Sequence, residues 1–478
     1  MDIISIEFTL IVLGAVFIYY LLNHKYRSTL LVILSGGFVA SYSYFLLLYV
    51  LVYGLVNYII GIKLENAKSR KWIFRTGLLI NIGQLVILKY SSFAIDPFIE
   101  LLDFNFTFTT LSNLIIPIGI SYFTLQSIGY LINIKMGWEK ADKNFIDFLL
   151  YLIFFPKFLS GPIERSNHFL PQLKKTVVFK QENIIEGLRL ALIGAFKKVV
   201  IANQLAPLIT VAYSDISSAN ATLLGTVILL QPLYLYFDFS GYTDIALGIA
   251  RMFGINLLPN FSRPFFAENV SLFWRKFHMS LSLWFSDYIF KQTMFRRRKW
   301  GNLAPIYALV LTWTLFGIWH GAGWNFMILG VIQAIAIIYE FFTKGWRKRF
   351  FTKWPGSLRI WTGRGLTYLF YAFSLVFFFS PDLGKAFSFL SGLGGHWDAL
   401  ILPINQKVVL LFSLLLVIIF MTGELLANDY PALFSRYSVG WQKKGTLYCS
   451  LRWGLYFWLM AVIIVFKNDV QSFIYFQF

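Results

Sequence analysis

A single cysteine, Cys449, stands in 478 residues. That excludes intrachain disulfides and zinc sites built from several thiolates, and it makes a thiol nucleophile a poor basis for function. Charge is scarce as well: 14% of residues are charged, against about 25% in an ordinary soluble chain. Acidic residues are the scarcer sign, 23 against 42 Lys and Arg, for a net charge of +19. The five histidines, His24, His168, His278, His320 and His396, are too scattered to form a metal cluster. Gly-x-Ser-x-Gly elbows, P-loops and His-Glu-x-x-His patterns are absent. So are repeats of fixed period, low-complexity segments and any soluble domain. The chain reads as one membrane domain over residues 1–478.

What is present is apolar. Hydrophobic residues make up 58% and aromatics 19%, and several apolar runs approach the ~20 residues that cross a bilayer as a helix. The reading is an all-α, polytopic membrane protein. The run 5–22 is expected to be a retained helix, followed by His24, Lys25 and Arg27 on the cytosolic side. Two helices are expected over 28–62, another ending near Tyr90, and one over 111–134. Further spans are expected at 186–213, 221–252, 303–319, 324–342, 366–379, 408–426 and 451–466, roughly a dozen in all. Basic loops alternate with a loop carrying Asp96, Glu100 and Asp103, as the positive-inside pattern requires. The basic excess therefore points to membrane lipid head groups, or to an anionic cytosolic donor, and not to nucleic acid. Segment 145–160, broken by Pro156, Gly161 and Pro162, is expected to be re-entrant or interfacial. Between Arg251 and Lys299, mixed aromatic and basic residues suggest interfacial helices.

The most informative stretch is Thr312–Phe326, TWTLFGIWHGAGWNF. Its only ionisable side chain is His320, and an imidazole at membrane depth faces a cavity or a partner. Gly317, Gly321 and Gly323 allow a turn or a close approach. Trp313, Trp319 and Trp324 offer flat walls with one donor each. The plain structural alternative is a buried histidine bonded to a carbonyl where two helices meet.

Three further polar constellations interrupt the apolar background. They are FFPKFLSGPIER (Phe154–Arg165), YFDFSGYTDIALG (Tyr236–Gly248, with Asp238 and Asp244) and WRKFHMSLSLWFSDY (Trp274–Tyr288, with His278 and Asp287). Each has a structural reading too: a shaped turn, aspartates paired with a nearby Lys or Arg, an interfacial histidine. Two histidines with supporting aspartates suit general-base acyl transfer, in which neutral imidazole takes the proton of a hydroxyl attacking a thioester. A water-poor cavity would protect that thioester from hydrolysis.

These segments, together with NFSRPFFAENVSLFWRKFHMSLSLWFSDYIF and GIWHGAGWNF, resemble membrane-bound O-acyltransferases in the expected order, over core motifs 154–339. The nearest branch is the bacterial alginate O-acetylation type, a sister of the teichoic-acid D-alanylation type. The resemblance implies a helical ring around a central tunnel, with re-entrant and interfacial helices, in a bacterial plasma (inner) membrane. It implies that His320 is catalytic, deep in the tunnel, and that His278 is a second catalytic position nearer the cytosolic opening. Asp238, Ser240 and Asp244 would line or brace the core, and Trp319, Trp324 and Asn325 would belong with them to substrate binding. Phe277 and Phe290 depart from the tryptophan and tyrosine usual in that pattern, which touches wall shape and not the histidine. A count of spans puts the turn after His320 near the outer face, whereas the resemblance puts that histidine mid-membrane.

The resemblance further implies no bound cofactor and no metal. The donor would be a cytosolic acyl thioester, acetyl-CoA or an acyl carrier protein. The acceptor would be an extracytoplasmic polysaccharide, reached through a periplasmic or extracellular acyl-transferring partner of SGNH/GDSL type. D-alanyl transfer to teichoic-acid-type polymers from an acyl carrier protein is the near alternative. A polysaccharide or ion-coupled transporter, with Asp238 and Asp244 as coupling groups, is the alternative of another class, although the repeated halves common in transporters are missing.

Overall fold

In the computed structural model, residues 3–66, 70–94, 119–159, 161–399, 404–430 and 446–467 are described. The described residues are helical with no strand, and seven of their helices are long and apolar enough to cross a membrane. An eighth apolar helix, Ile6–Leu21, is shorter. The all-α, multi-pass reading of the sequence is correct. The acidic loop at Asp96, Glu100 and Asp103, and the first part of the 111–134 run, lie outside the described residues.

Contacts divide the chain into two compact units, Met1–Ala191 with Thr243–Pro259, and Leu192–Tyr242 with Asn260–Phe478. In the first, helices Tyr44–Asn66 and Arg70–Lys89 are joined at depth by amides: Asn81 Nδ2 donates to Asn57 Oδ1 at 2.7 Å, and Tyr53 donates to Asn81 Oδ1. Buried polar groups in apolar helices survive because they satisfy one another. The 145–160 segment is indeed broken, but at Phe154, between helices Phe145–Ile153 and Phe155–Phe158. Pro156 sits in the first turn of the second helix, where its missing N–H costs nothing. Lys157, wholly buried, donates to the Tyr151 carbonyl at 2.5 Å and to Gln126 Oε1. The carboxylate of Glu164 accepts from Leu258 N at 2.5 Å and faces His168 Nδ1 at 2.9 Å. This motif is therefore a hydrogen-bonded structural knot.

In the second unit, Leu303–His320 and Trp324–Phe351 form a helical hairpin. Its closeness is set by glycine: a Cβ at Gly330 would stand 2.1 Å from the Trp313 carbonyl oxygen, and one at Gly317 would stand 2.2 Å from that of Phe326. Small residues let the backbones meet, which packs transmembrane helices where lipid offers no hydrophobic drive. Trp324–Phe351 continues beyond the expected Phe342, because Lys344, Arg347, Lys348 and Arg349 are good helix formers. Its 28 residues reach about 42 Å at 1.5 Å per residue, so the basic end projects past a ~30 Å hydrocarbon core. Likewise the helix expected at 366–379 begins at Gly356. The 186–213 region runs without a break through helix Gln181–Phe196, a π-helical segment Lys197–Ala202 and helix Asn203–Ser214.

Candidate active site

The second unit brings His278 and His320 together. Their ring centroids are 6.4 Å apart, and the residues are 1% and 7% exposed. His320 is the last residue of its helix. Gly321 and Gly323, in extended backbone, carry the chain to the next helix. Its imidazole packs among Phe316 (5.0 Å), Trp319 (4.9 Å) and Phe378 (5.6 Å).

His278 reaches the same place from a short interfacial segment. Helix Val270–Trp274 is capped by Asn269, whose Oδ1 accepts from Leu272 N at 2.8 Å. Glu340 adds a second clamp, accepting from Val270 N (2.6 Å), Ser271 N (3.0 Å) and Ser271 Oγ (2.6 Å). Beyond it the chain is held on both sides of His278. Ser262 N donates to Lys276 O (2.9 Å), Met279 N to Asn260 O (2.9 Å), and Ser280 Oγ to Asn260 Oδ1 (2.6 Å). His278 itself has φ +45°, one of two non-glycine residues in the left-handed region among the described residues. Such a conformation persists only where neighbours over-determine it, and it concentrates at functional sites. The ring lies against Phe239 (4.6 Å) and Trp319 (6.0 Å). Burial first, and then His320, hold the His278 imidazole well below its ordinary pKa. It is thus neutral, and it is not the surface histidine that its basic surroundings allowed.

Both imidazoles line one cavity of about 20 Å³, walled by Trp274, Phe316, Gln333, Tyr371 and Phe378 among others. That volume holds about one water. Trp274 and Phe316 also wall a second cavity of about 930 Å³, which is apolar inside and carries Arg275, Lys344 and Arg347 in its lining. Two aromatic side chains, Trp274 and Phe316, are thus shared between the small histidine chamber and a large, basic one.

The other expected site residues divide. Trp319 is buried beside both histidines. Asn325 is buried, with Nδ2 donating to the carbonyls of Phe377 (3.0 Å) and Ser380 (2.9 Å), so it ties the start of its helix to the end of Gly356–Phe379. Trp324 is 58% exposed and does not line the histidine cavity. Asp238 is fully buried and ion-paired with Lys198, which belongs to the π-helical segment. Ser240 is buried nearby in the same helix. Asp244 is half-buried and falls in the first compact unit. Asp287 pairs with Lys291 at 2.7 Å near the surface. Sequence reasoning missed Lys198, Gln333 and Glu340. The last two are polar residues seven apart in an apolar helix, a spacing that puts both on one face.

The sequence signature described as MBOAT, membrane-bound O-acyltransferase family, matches residues 139–380. The chain is similar to a probable alginate O-acetylase of Azotobacter vinelandii, 33% identical over 323 residues, covering 66% of this chain and 63% of that protein. It is similar to a peptidoglycan O-acetyltransferase of Helicobacter pylori, 33% identical over 371 residues, covering 71% and 68%. A teichoic acid D-alanyltransferase of Bacillus subtilis is 32% identical over 260 residues, covering 52% and 64%. The match thus spans less than two thirds of the Azotobacter and Bacillus relatives. Half of this chain carries the family signature, and the matched residues include both histidine segments; the chain belongs to the membrane-bound O-acyltransferase family.

Proposed function

We propose that this protein is a membrane O-acyltransferase that moves an acyl group, foremost acetyl, from a cytosolic thioester across the membrane for O-acetylation of an extracytoplasmic polysaccharide. The observation that carries the reading is the pair of buried imidazoles lining one small, largely aromatic cavity. His320 takes the proton of the attacking hydroxyl as general base, and the neutral His278 beside it supports and orients the reacting groups. The donor, acetyl-CoA or an acyl carrier protein, approaches through the large cavity, where Arg275, Lys344 and Arg347 suit phosphates or acidic side chains. The aromatic and aliphatic wall around the two histidines limits hydrolysis of the thioester. A separate acyl-transferring partner of SGNH/GDSL type passes the group to the polymer. Asp238, Trp319 and Asn325 brace this chamber. Asp238 already holds the Lys198 charge, which weighs against the transporter reading in which it carries an exchangeable ion.

The test is the O-acetyl content of cell-surface polysaccharide in wild type, His320→Ala and His278→Ala at matched protein levels. Loss in the first and partial loss in the second are expected. Full acetylation in His320→Ala would overturn the assignment. The similarity to the Bacillus teichoic acid D-alanyltransferase supports a second reading, D-alanyl transfer from an acyl carrier protein. Unchanged acetylation in both mutants, with loss of D-alanyl esters in His320→Ala, would select it.

A further inference from the structure

One polar side chain in the wall of the histidine cavity has no part in the scheme above. Gln333 is 1% exposed and lines the same cavity as His278 and His320. Its Oε1 accepts from Trp274 Nε1 at 3.0 Å. An indole nitrogen can only donate, so this bond fixes which end of the amide is oxygen. The Nε2 end, with two N–H donors, has no acceptor among the described residues. Cores normally avoid a buried donor in that state, and Leu or Met would fill the same space without the penalty. A buried amide with unused N–H donors, on a residue that lines the cavity of both histidines, is a group that a developing oxyanion can use.

We propose that Gln333 is a catalytic residue whose Nε2 donates to the carbonyl oxygen of the acyl group as that group is transferred beside His320. The proposal deepens the acyl-transfer reading and rests on it. The acceptor oxygen bonds to the acyl carbon while its proton passes to His320. The carbonyl electron pair moves onto oxygen, where Gln333 Nε2 holds it. The pair returns as the C–S bond breaks, and the departing thiolate takes the proton from His320, leaving an ester and a free thiol. Trp274 is a positioning residue that sets the direction of the amide.

Gln333→Met keeps the side chain's length and removes both donors. In vesicles reconstituted with the full chain and an acetyl thioester, kcat is expected to fall about 10²–10³-fold, as when one oxyanion donor is lost. The donor KM moves little, and the melting temperature changes little, because the unsatisfied Nε2 donor is removed while Trp274 Nε1 loses its acceptor. Trp274→Phe, which keeps the Nε2 donors, loses only about tenfold. A purely structural Gln333 predicts a lower melting temperature and equal losses in the two variants. Wild-type transfer by Gln333→Met, equal losses, or failure of Gln333→Met to fold would each overturn the proposal. His320→Ala separates the two claims. Its inactivity beside an active Gln333→Met rejects Gln333 alone, whereas a wild-type chain that transfers no acetyl group rejects the acyl-transfer reading and Gln333 together.

Discussion

The carboxylate of Glu340 holds a helix too short to hold itself. Val270–Trp274 has five residues, far below the ~12–15 at which an isolated helix is even marginal. Its first N–H groups lack intrahelical partners, and Glu340 accepts from two of them and from the Ser271 hydroxyl. A hydrogen bond to a charged group contributes about 1.5–3 kcal/mol. Three such bonds share one carboxylate and are not additive, so Glu340→Ala is expected to cost about 3–5 kcal/mol. Glu340→Gln keeps one acceptor oxygen and should cost about half of that. His278 lies four residues beyond this helix in left-handed backbone, so loosening the helix displaces the imidazole. A misplacement of about 1 Å costs about 10²-fold in rate. Thermal unfolding of the purified protein, amide exchange over 269–279 and acyl transfer would measure the three consequences. Wild-type exchange protection together with a wild-type rate in Glu340→Ala would refute the clamp.

Three other outcomes follow from the packing. Gly330→Ala drives a methyl into the Trp313 carbonyl and should cost about 1–3 kcal/mol, seen as a lower melting temperature; an unchanged value would contradict the close approach of the two helices. Asp238→Asn removes the counter-charge of the buried Lys198 ammonium and should destabilise by about 3–5 kcal/mol, with Asp238→Leu/Lys198→Met recovering much of the loss; a stable single mutant would contradict the pairing. His168 has its pKa raised, first by its hydrogen bond to Glu164, with burial opposing. The stability it contributes is complete below its unfolded value of about 6.5 and fades as pH rises through the raised folded value. The melting-temperature gap between wild type and His168→Ala should therefore shrink from pH 6 to pH 8, and a constant gap would refute it.

The helices were the most legible part of the sequence, because length and apolarity alone define a span. The 221–252 helix has the bounds expected of it, and the Gly321–Gly323 break falls where glycine allowed it. Helix ends were less legible where basic residues that favour helix continue an apolar run, as at Lys344–Arg349. Asp238 was visible as a carboxylate in an apolar segment, but Lys198 lies 40 residues earlier and only the packed structure joins them. The two histidine segments were each conspicuous, yet neither predicted the φ of His278 or its distance from His320. Trp324, four positions after His320, was expected near it. The extended Gly321 and Gly323 between them break helical phase, and Trp324 is left largely exposed. Gln333 and Glu340 carried a signal in their seven-residue spacing, but what they hold lies 59 and 70 residues earlier in the chain.

Acyl transfer through the membrane with His320 as general base is tested in sealed vesicles loaded with a radiolabelled acetyl thioester, with an acceptor and the acyl-transferring partner outside. Label is predicted to reach the outside acceptor with the wild-type chain and not with His320→Ala at equal incorporation. Equal labelling by the two proteins would contradict the account.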